Sequence, residues 1–162
     1  MDKRKHPVIF IVEDNKAYIK IVEHHLKSNG YTSLHTFVSG EECLQNLYLK
    51  PDIIIQDYKL QGINGIFVLS KYKKKLPYCE FIFLSGQDDV PTAVNAIKAG
   101  AFDYIVKNDK AMTLLVPKIE DVIRLQNHKR KIRKYYNALF LSIVALFILA
   151  GILLLSNRIF LY

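Results

Sequence analysis

The chain has 162 residues, with 23 Lys/Arg against 15 Asp/Glu and a formal net charge of +8, enough for one ordinary domain and an appendage. The positive charge first suggests nucleic acid, but residues 1–127 hold 17 Lys/Arg and 15 Asp/Glu, while residues 128–162 hold 6 Lys/Arg and no acid. The globular part is nearly balanced and the basic excess belongs to the tail, which argues against the nucleic-acid reading. Two cysteines, Cys43 and Cys79, stand far apart without metal-ligand spacing and read as reduced, buried thiols of a cytosolic domain. No secretory leader is visible: the run Val8 to Val12 is too short for one and ends at Glu13-Asp14.

In chain order, Val8-Ile9-Phe10-Ile11-Val12 is a continuous apolar run, typical of a strand covered on both faces. Lys16 to Asn29 carries Tyr18, Ile21, Val22 and Leu26 at helical spacing, and Asn29-Gly30 stops the helix. Tyr31 to Phe37 alternates weakly and reads as a strand nearer the sheet edge. Ser39 caps a helix with Glu41 and Glu42 in its first turn, and Pro51 ends it after about Leu49. Ile53-Ile54-Ile55-Gln56-Asp57 is the pattern of a central parallel strand with an aspartate at its end. After a loop from Tyr58 to Asn64, Ile66 to Lys75 reads as a helix ending in the solvated lysines Lys71, Lys73, Lys74 and Lys75. Glu80 to Ser85 is the fourth strand. Asp88-Asp89 caps a helix begun by Pro91 and closed by Gly100, and Asp103 to Val106 is the fifth strand, ended by Lys107. A last helix starts near Asp109; a break at Leu115, with Pro117 opening a new helix, spares the cost of proline in a helix interior. Five alternations of strand and helix without a hairpin predict a parallel α/β sheet with right-handed crossovers and helices on both faces.

In such a sheet the carboxyl ends of the strands share one rim, where ligands bind. Glu13 and Asp14 follow the first strand, Asp57 the third, Ser85 the fourth and Lys107 the fifth. Each has an ordinary structural reading: Asp57 as a helix cap or turn residue, Ser85 as a strand-end turn, Lys107 as a partner for a rim acid. Together they suggest chemistry. Three converging carboxylates repel one another, and a hard divalent cation with all-oxygen ligation, such as Mg²⁺, offsets that repulsion. The metal and the Lys107 ammonium then frame a pocket for a phosphoryl group on Asp57, to which the Ser85 hydroxyl can donate.

These residues resemble the receiver domains of two-component response regulators, the CheY-like family. The resemblance covers roughly residues 7–127 and rests on Glu13-Asp14, Asp57, Asn64-Gly65, Ser85, Ala99-Gly100-Ala101, and Tyr104 before Lys107. It implies a flavodoxin-like, doubly wound, parallel five-stranded sheet of order 2-1-3-4-5. It implies that Asp57 takes a phosphoryl group from a phosphohistidine on a histidine kinase or phosphotransfer protein. Asp14, Asp57 and the main-chain carbonyl of Lys59 would ligate Mg²⁺, with Glu13 acting through water. Ser85 and Tyr104 would form a switch that alters the surface of the fourth helix, fifth strand and fifth helix. Without the resemblance, Tyr104 reads as an ordinary strand aromatic. Two positions depart from the family pattern: Asn108 follows Lys107, and Gln61 lies four residues after Asp57, both where proline is usual. Lys59 and Gln87 occupy positions that in the family tune how long the phosphoaspartate survives.

The tail is different in kind. Ala138 to Leu155 is an uncharged run of 18 residues containing 13 Leu, Ile, Phe or Val. At about 1.5 Å per residue it spans about 27 Å, close to a bilayer's hydrocarbon core. Residues 128–137 then read as a basic juxtamembrane helix against anionic lipid headgroups, and 138–162 as a transmembrane segment and short tail. Lys129, Arg130, Lys131, Arg133 and Lys134 precede the run and only Arg158 follows, which puts the domain on the cytoplasmic side of the cell inner membrane. Ala138 and Ser142 have a small-xxx-small spacing that suits a homodimer through paired tails. The expected function is a membrane-tethered phosphoacceptor, not an enzyme. An aspartate-nucleophile phosphatase needs a second acid two residues after the nucleophile, where this chain has Lys59. A phosphate-independent scaffold that binds a partner protein at the membrane is the alternative.

Overall fold

The computed structural model describes residues 7–60, 62, 65–86, 88 and 90–159, with side chains through residue 148. The chain divides into two compact units, 1–124 and 125–162. In the first, strands β1 (Ile9–Val12), β2 (Leu34–Phe37), β3 (Ile53–Gln56), β4 (Glu80–Ser85) and β5 (Asp103–Val106) alternate with helices α1 (Lys16–Ser28), α2 (Gly40–Gln45), α3 (Gly65–Lys75), α4 (Val90–Lys98) and the N-terminal part of α5 (Ala111–Ile159), whose remainder makes up the second unit. All neighbouring strands pair parallel, in the order β2-β1-β3-β4-β5. This is the expected doubly wound sheet.

The apolar runs are long because both faces of the sheet are covered, and successive side chains alternate between them. Ile9, Ile11, Ile53, Ile55, Ile82, Leu84 and Ile105 pack with Val22 and Leu26 of α1 and with Ala111, Leu115, Ile119 and Val122 of α5. Phe10, Val12, Ile54, Phe81 and Phe83 point the other way, against Cys43, Val68, Leu69, Tyr72 and Ala96 of α2, α3 and α4. Both cysteines are free and buried. Tyr72 Oη lies 2.9 Å from Cys43 Sγ.

The helix ends follow local chemistry. Asn15 accepts from the amides of Ala17 and Tyr18 to start α1, and Ser39 accepts from that of Glu42 to start α2. Gly30 and Gly100, with φ of 87° and 100°, turn the chain after α1 and α4, a conformation that glycine adopts without steric cost. Asp89 of the cap expected at Asp88-Asp89, and Asn64 of the Asn64-Gly65 pair, lie outside the described residues. Helix α2 stops at Gln45, and a separate 3-10 turn, Leu47–Leu49, leads to Lys50 in the left-handed region. This shortens the single helix expected to Leu49.

The expected break at Leu115 does not occur: Pro117 lies inside α5. Interior proline costs about 3 kcal/mol. Keeping one helix through it places Ala111, Leu115, Ile119 and Val122 on one face, each at most 1% exposed. Full burial of a large apolar side chain contributes roughly 1.5–3 kcal/mol, so the three large ones outweigh the proline.

Among the described residues no helix is long and apolar enough to cross a membrane. The run 138–155, expected as the span, continues past residue 148 and so falls partly outside the described side chains.

Candidate functional site

Strand register brings the rim residues together. Val12 pairs with Gln56, so Glu13 and Asp57, the next residue on each strand, leave the sheet side by side. Ser85 pairs with Val106, and the Lys107 amide donates to the Ser85 carbonyl at 2.7 Å. Asp57 and Glu13 are anchored likewise, the Asp57 amide to Val12 O at 2.9 Å and the Glu13 amide to Phe37 O at 3.0 Å.

Asp57 is 8% exposed and Glu13 4%. Lys107 Nζ donates to Asp57 Oδ2 at 2.6 Å and also to Glu13 Oε2. The second Asp57 oxygen accepts from the Lys59 amide at 3.1 Å, and Glu13 Oε1 accepts from the Asn15 amide at 3.3 Å. Asp14 completes the group: Glu13, Asp14 and Asp57 each bring a carboxylate oxygen, all within 4.8 Å of one another. One ammonium against three carboxyl groups leaves the site acidic. An all-oxygen anionic set of this kind fits Mg²⁺.

Burial pushes the Glu13 carboxyl above its ordinary value, and the hydrogen bond and charge of Lys107 only partly oppose it. Burial also works against the Lys107 ammonium, but hydrogen bonds to Asp57 and Glu13 more than reverse that and hold it above its ordinary value. Lys107 is therefore charged at neutral pH.

Ser85 is fully buried at the end of β4. Tyr104, one strand over, is half-buried, its ring 6.2 Å from both Tyr58 and Phe83. The Lys59 side chain is exposed. Gln61 and Gln87 lie outside the described residues. Asn108 accepts from the Lys110 amide at 3.0 Å, so an Asx turn ends the loop after Lys107.

Two aromatic neighbours of the site escaped the sequence. The Tyr18 ring lies 4.5 Å from Lys107 Nζ, a cation–π contact. Burial pushes its phenol above the ordinary range. In the sequence Tyr18 is one of four apolar positions on α1, and nothing distinguishes it. Tyr58 follows Asp57 and packs on Phe83 at 5.5 Å; only its adjacency to Asp57 could have flagged it.

Residues 9–117 match the response regulator receiver domain. Over 113 residues the chain is 37% identical to a putative response regulator, NtrX-like, of Rickettsia felis, covering 66% of this chain and 24% of that protein. It is 31% identical over 112 residues to the DNA-binding transcriptional regulator NtrC of Escherichia coli K12, covering 67% of this chain and 24% of that protein. The chain thus spans about a quarter of these curated relatives, 24% of each. Among solved structures, a CheY-like receiver domain protein from Methanospirillum hungatei superposes with a TM-score of 0.69 at 25% identity, over 77% of this chain and 98% of that one. NtrX from Brucella abortus superposes with a TM-score of 0.70 at 28% identity, over 78% of this chain and 28% of that one.

Proposed function

We propose, since this chain belongs to the response regulator receiver domain family, that Asp57 accepts a phosphoryl group and that the chain is a membrane-tethered element of a phosphorelay. The supporting observation is the Asp57 carboxylate, held 2.6 Å from the Lys107 ammonium within the cluster of Glu13 and Asp14. The donor is a phosphohistidine on a histidine kinase or phosphotransfer protein. An Asp57 oxygen attacks phosphorus, the phosphorus–nitrogen bond breaks, and the imidazole leaves with the electron pair. The Lys107 ammonium faces the charge on the phosphoryl oxygens, and the Ser85 hydroxyl donates to one of them. Glu13, Asp14 and Asp57, with the Lys59 main chain beside them, are the groups that would hold Mg²⁺; when bound, the ion neutralises the phosphoryl oxygens.

Ser85 and Tyr104 then act as the switch. As the hydroxyl moves toward the phosphoryl group, the half-buried Tyr104 ring turns inward behind it, and the α4–β5–α5 surface changes. Val90, Val94 and Ile97 are exposed on α4, one helical face that a protein partner can read. The chain is an acceptor that passes on a signal and not an enzyme with a separate substrate. The DNA binding named for the Escherichia coli relative is not carried over, because the match covers 24% of that protein.

The tether reading rests on the second unit. Leu139, Phe140, Leu141, Leu146, Phe147 and Ile148 are all between 46% and 75% exposed, a contiguous apolar surface that water disfavours and lipid tails accept. With residues 149–155 it forms the uncharged run long enough to span. The basic residues 129–134 keep the receiver on the cytoplasmic side of the cell inner membrane.

Incubation with acetyl phosphate and Mg²⁺, resolved on a phosphate-affinity gel, tests the acceptor role. Wild type shifts and Asp57→Asn does not; no Asp57-dependent shift favours a phosphate-independent scaffold. A carbonate wash of the membrane fraction tests the tether, which predicts that the chain stays in the pellet.

A further inference from the structure

The pole of the sheet opposite Asp57 is basic. Helices α3 and α4 run antiparallel to the strands, so their C-terminal ends lie at this pole, carrying Lys73, Lys74, Lys75 and Lys98. Lys50, in the left-handed turn that leads into β3, joins them. All five are exposed, and they converge from three connections. Lys50 and Lys75 line one cavity of about 330 Å³ with Pro77 and Tyr78. Lys73 reaches across to the end of α4, where a methyl placed on Gly100 would lie 2.9 Å from its Nζ.

Three acids lie nearby, of which Asp52 lines the same cavity. Asp52 Oδ2 accepts from the Val8 amide at 3.0 Å, Glu80 is 7% exposed, and Asp103 pairs with Lys118 at 2.6 Å. That last pair also gives the direction of α5. Asp103 is the first residue of β5, and Lys118 is seven residues beyond Ala111, where α5 begins at the rim. The helix therefore descends toward the basic pole. Arg124, the end of the first unit, lies six residues further, about 9 Å at 1.5 Å per residue. Within the first unit, Arg124 therefore lies toward the pole that carries these lysines.

We propose that Lys50, Lys73, Lys74, Lys75 and Lys98 form a docking surface for the anionic headgroups of the bilayer, an inference that rests on the tether reading above. The residue types suit lipid better than a nucleic acid. The five are lysines, compact charges on long flexible stems that headgroups accommodate, rather than the arginine forks favoured for bidentate phosphate recognition. Tyr78 and Tyr48, 57% and 72% exposed, have the amphipathic ring that settles at an interface. Docking by this pole leaves Asp57 on the far side of the sheet, open to its phosphoryl donor.

The full chain is reconstituted with vesicles of neutral phosphatidylcholine, or with the same lipid plus phosphatidylglycerol. Flotation is scored, and acetylation of each lysine by an amine-reactive ester is timed by peptide mass spectrometry. The expected result is flotation with both vesicles, and acetylation of the five pole lysines slowed about 5-fold or more by anionic lipid, the factor that corresponds to about 1 kcal/mol per lysine–headgroup contact. Lys16 and Lys110, at the rim, keep their rates. High salt, or Lys73→Glu with Lys74→Glu and Lys75→Glu, abolishes the protection of Lys50 and Lys98. Flotation with both vesicles but equal acetylation at the pole overturns the docking surface and leaves the tether standing. Flotation with anionic vesicles alone, with the pole protected, sustains the docking surface and sinks the tether. Flotation with neither overturns both, and protection of the pole by an RNA oligomer but not by anionic lipid overturns the docking surface alone.

Discussion

Replacing Lys107 by methionine removes the cation that serves two buried carboxylates at once and keeps roughly its length. At an effective dielectric of about 20, charges at the 2.6 Å of the Lys107–Asp57 pair attract by about 6 kcal/mol before desolvation. Desolvation offsets part of this, and unpairing a buried ion typically costs about 3–5 kcal/mol. The Lys107 side chain is 16% exposed, so a loss near 3 kcal/mol is expected for Lys107→Met in chelator at neutral pH. The pH dependence has a definite sign. Burial raises the Glu13 carboxyl above its ordinary 4.5, so its charged form subtracts stability above the folded-state value. That penalty fades as pH falls through it, and the variant's deficit shrinks in the same direction. The Lys107 ammonium is also raised, from an ordinary 10.5, so wild type keeps its contribution below 10.5 and loses it as pH climbs through the folded value. Adding Mg²⁺ restores part of the loss, because a second cation reaches the same oxygens. Urea denaturation followed by tyrosine fluorescence measures all of this, the chain having no tryptophan. A deficit under about 1 kcal/mol in chelator, or one that grows on acidification, would refute the reasoning.

Other outcomes follow from single contacts. Gly65→Ala places a methyl 2.8 Å from Phe83 Cε1 and 2.9 Å from Gln56 Nε2; overpacking of this kind costs about 1–3 kcal/mol, read as a lower urea midpoint. Burial pushes the Cys43 thiol up to about 12 and the Cys79 thiol well above its ordinary value. Iodoacetamide at mildly alkaline pH should therefore alkylate neither until denaturant is added, and rapid native labelling of either by mass spectrometry would contradict that burial. The exposed Lys59 follows Asp57 by two residues, with its amide already on Asp57 Oδ1. Its side chain is expected to shield an Asp57 acyl phosphate from water, so Lys59→Ala shortens the phosphorylated lifetime; an unchanged half-life removes that role.

The sheet was legible in the sequence because β1, β3 and β4 each carry a run of apolar residues ended by a charged or hydroxyl residue, whereas the edge strands β2 and β5 are weaker in pattern and follow from the alternation with helices. Ile53–Gln56 needs cover on both faces, and only a central parallel strand supplies it. The rim was legible for the same reason: in a parallel sheet all strands end on one side, so Glu13, Asp57, Ser85 and Lys107 had to be neighbours in space. Local rules failed where tertiary packing outweighed them. Pro117 signals a helix start, yet the apolar face of α5 is continuous through it and carries the helix past. Leu47–Leu49 has helical composition, but the chain must reach Pro51 and β3, and tightens into a 3-10 turn instead. Tyr18 was invisible as a site residue because its contact with Lys107 crosses from α1 to the end of β5. The double pairing of Lys107 was equally hidden: order along the chain tells which residues reach the rim, not which oxygen each donor chooses.

Borohydride trapping tests the role of Asp57 most directly. The chain is treated with acetyl phosphate and Mg²⁺, reduced, digested and mapped by mass spectrometry, so that an aspartyl phosphate is read as homoserine at the residue that carried it. Conversion at Asp57 alone, lost in Asp57→Asn and weakened in Lys107→Met, is the expected result. Conversion at Glu13 or Asp14, or none at any of the three, would contradict it.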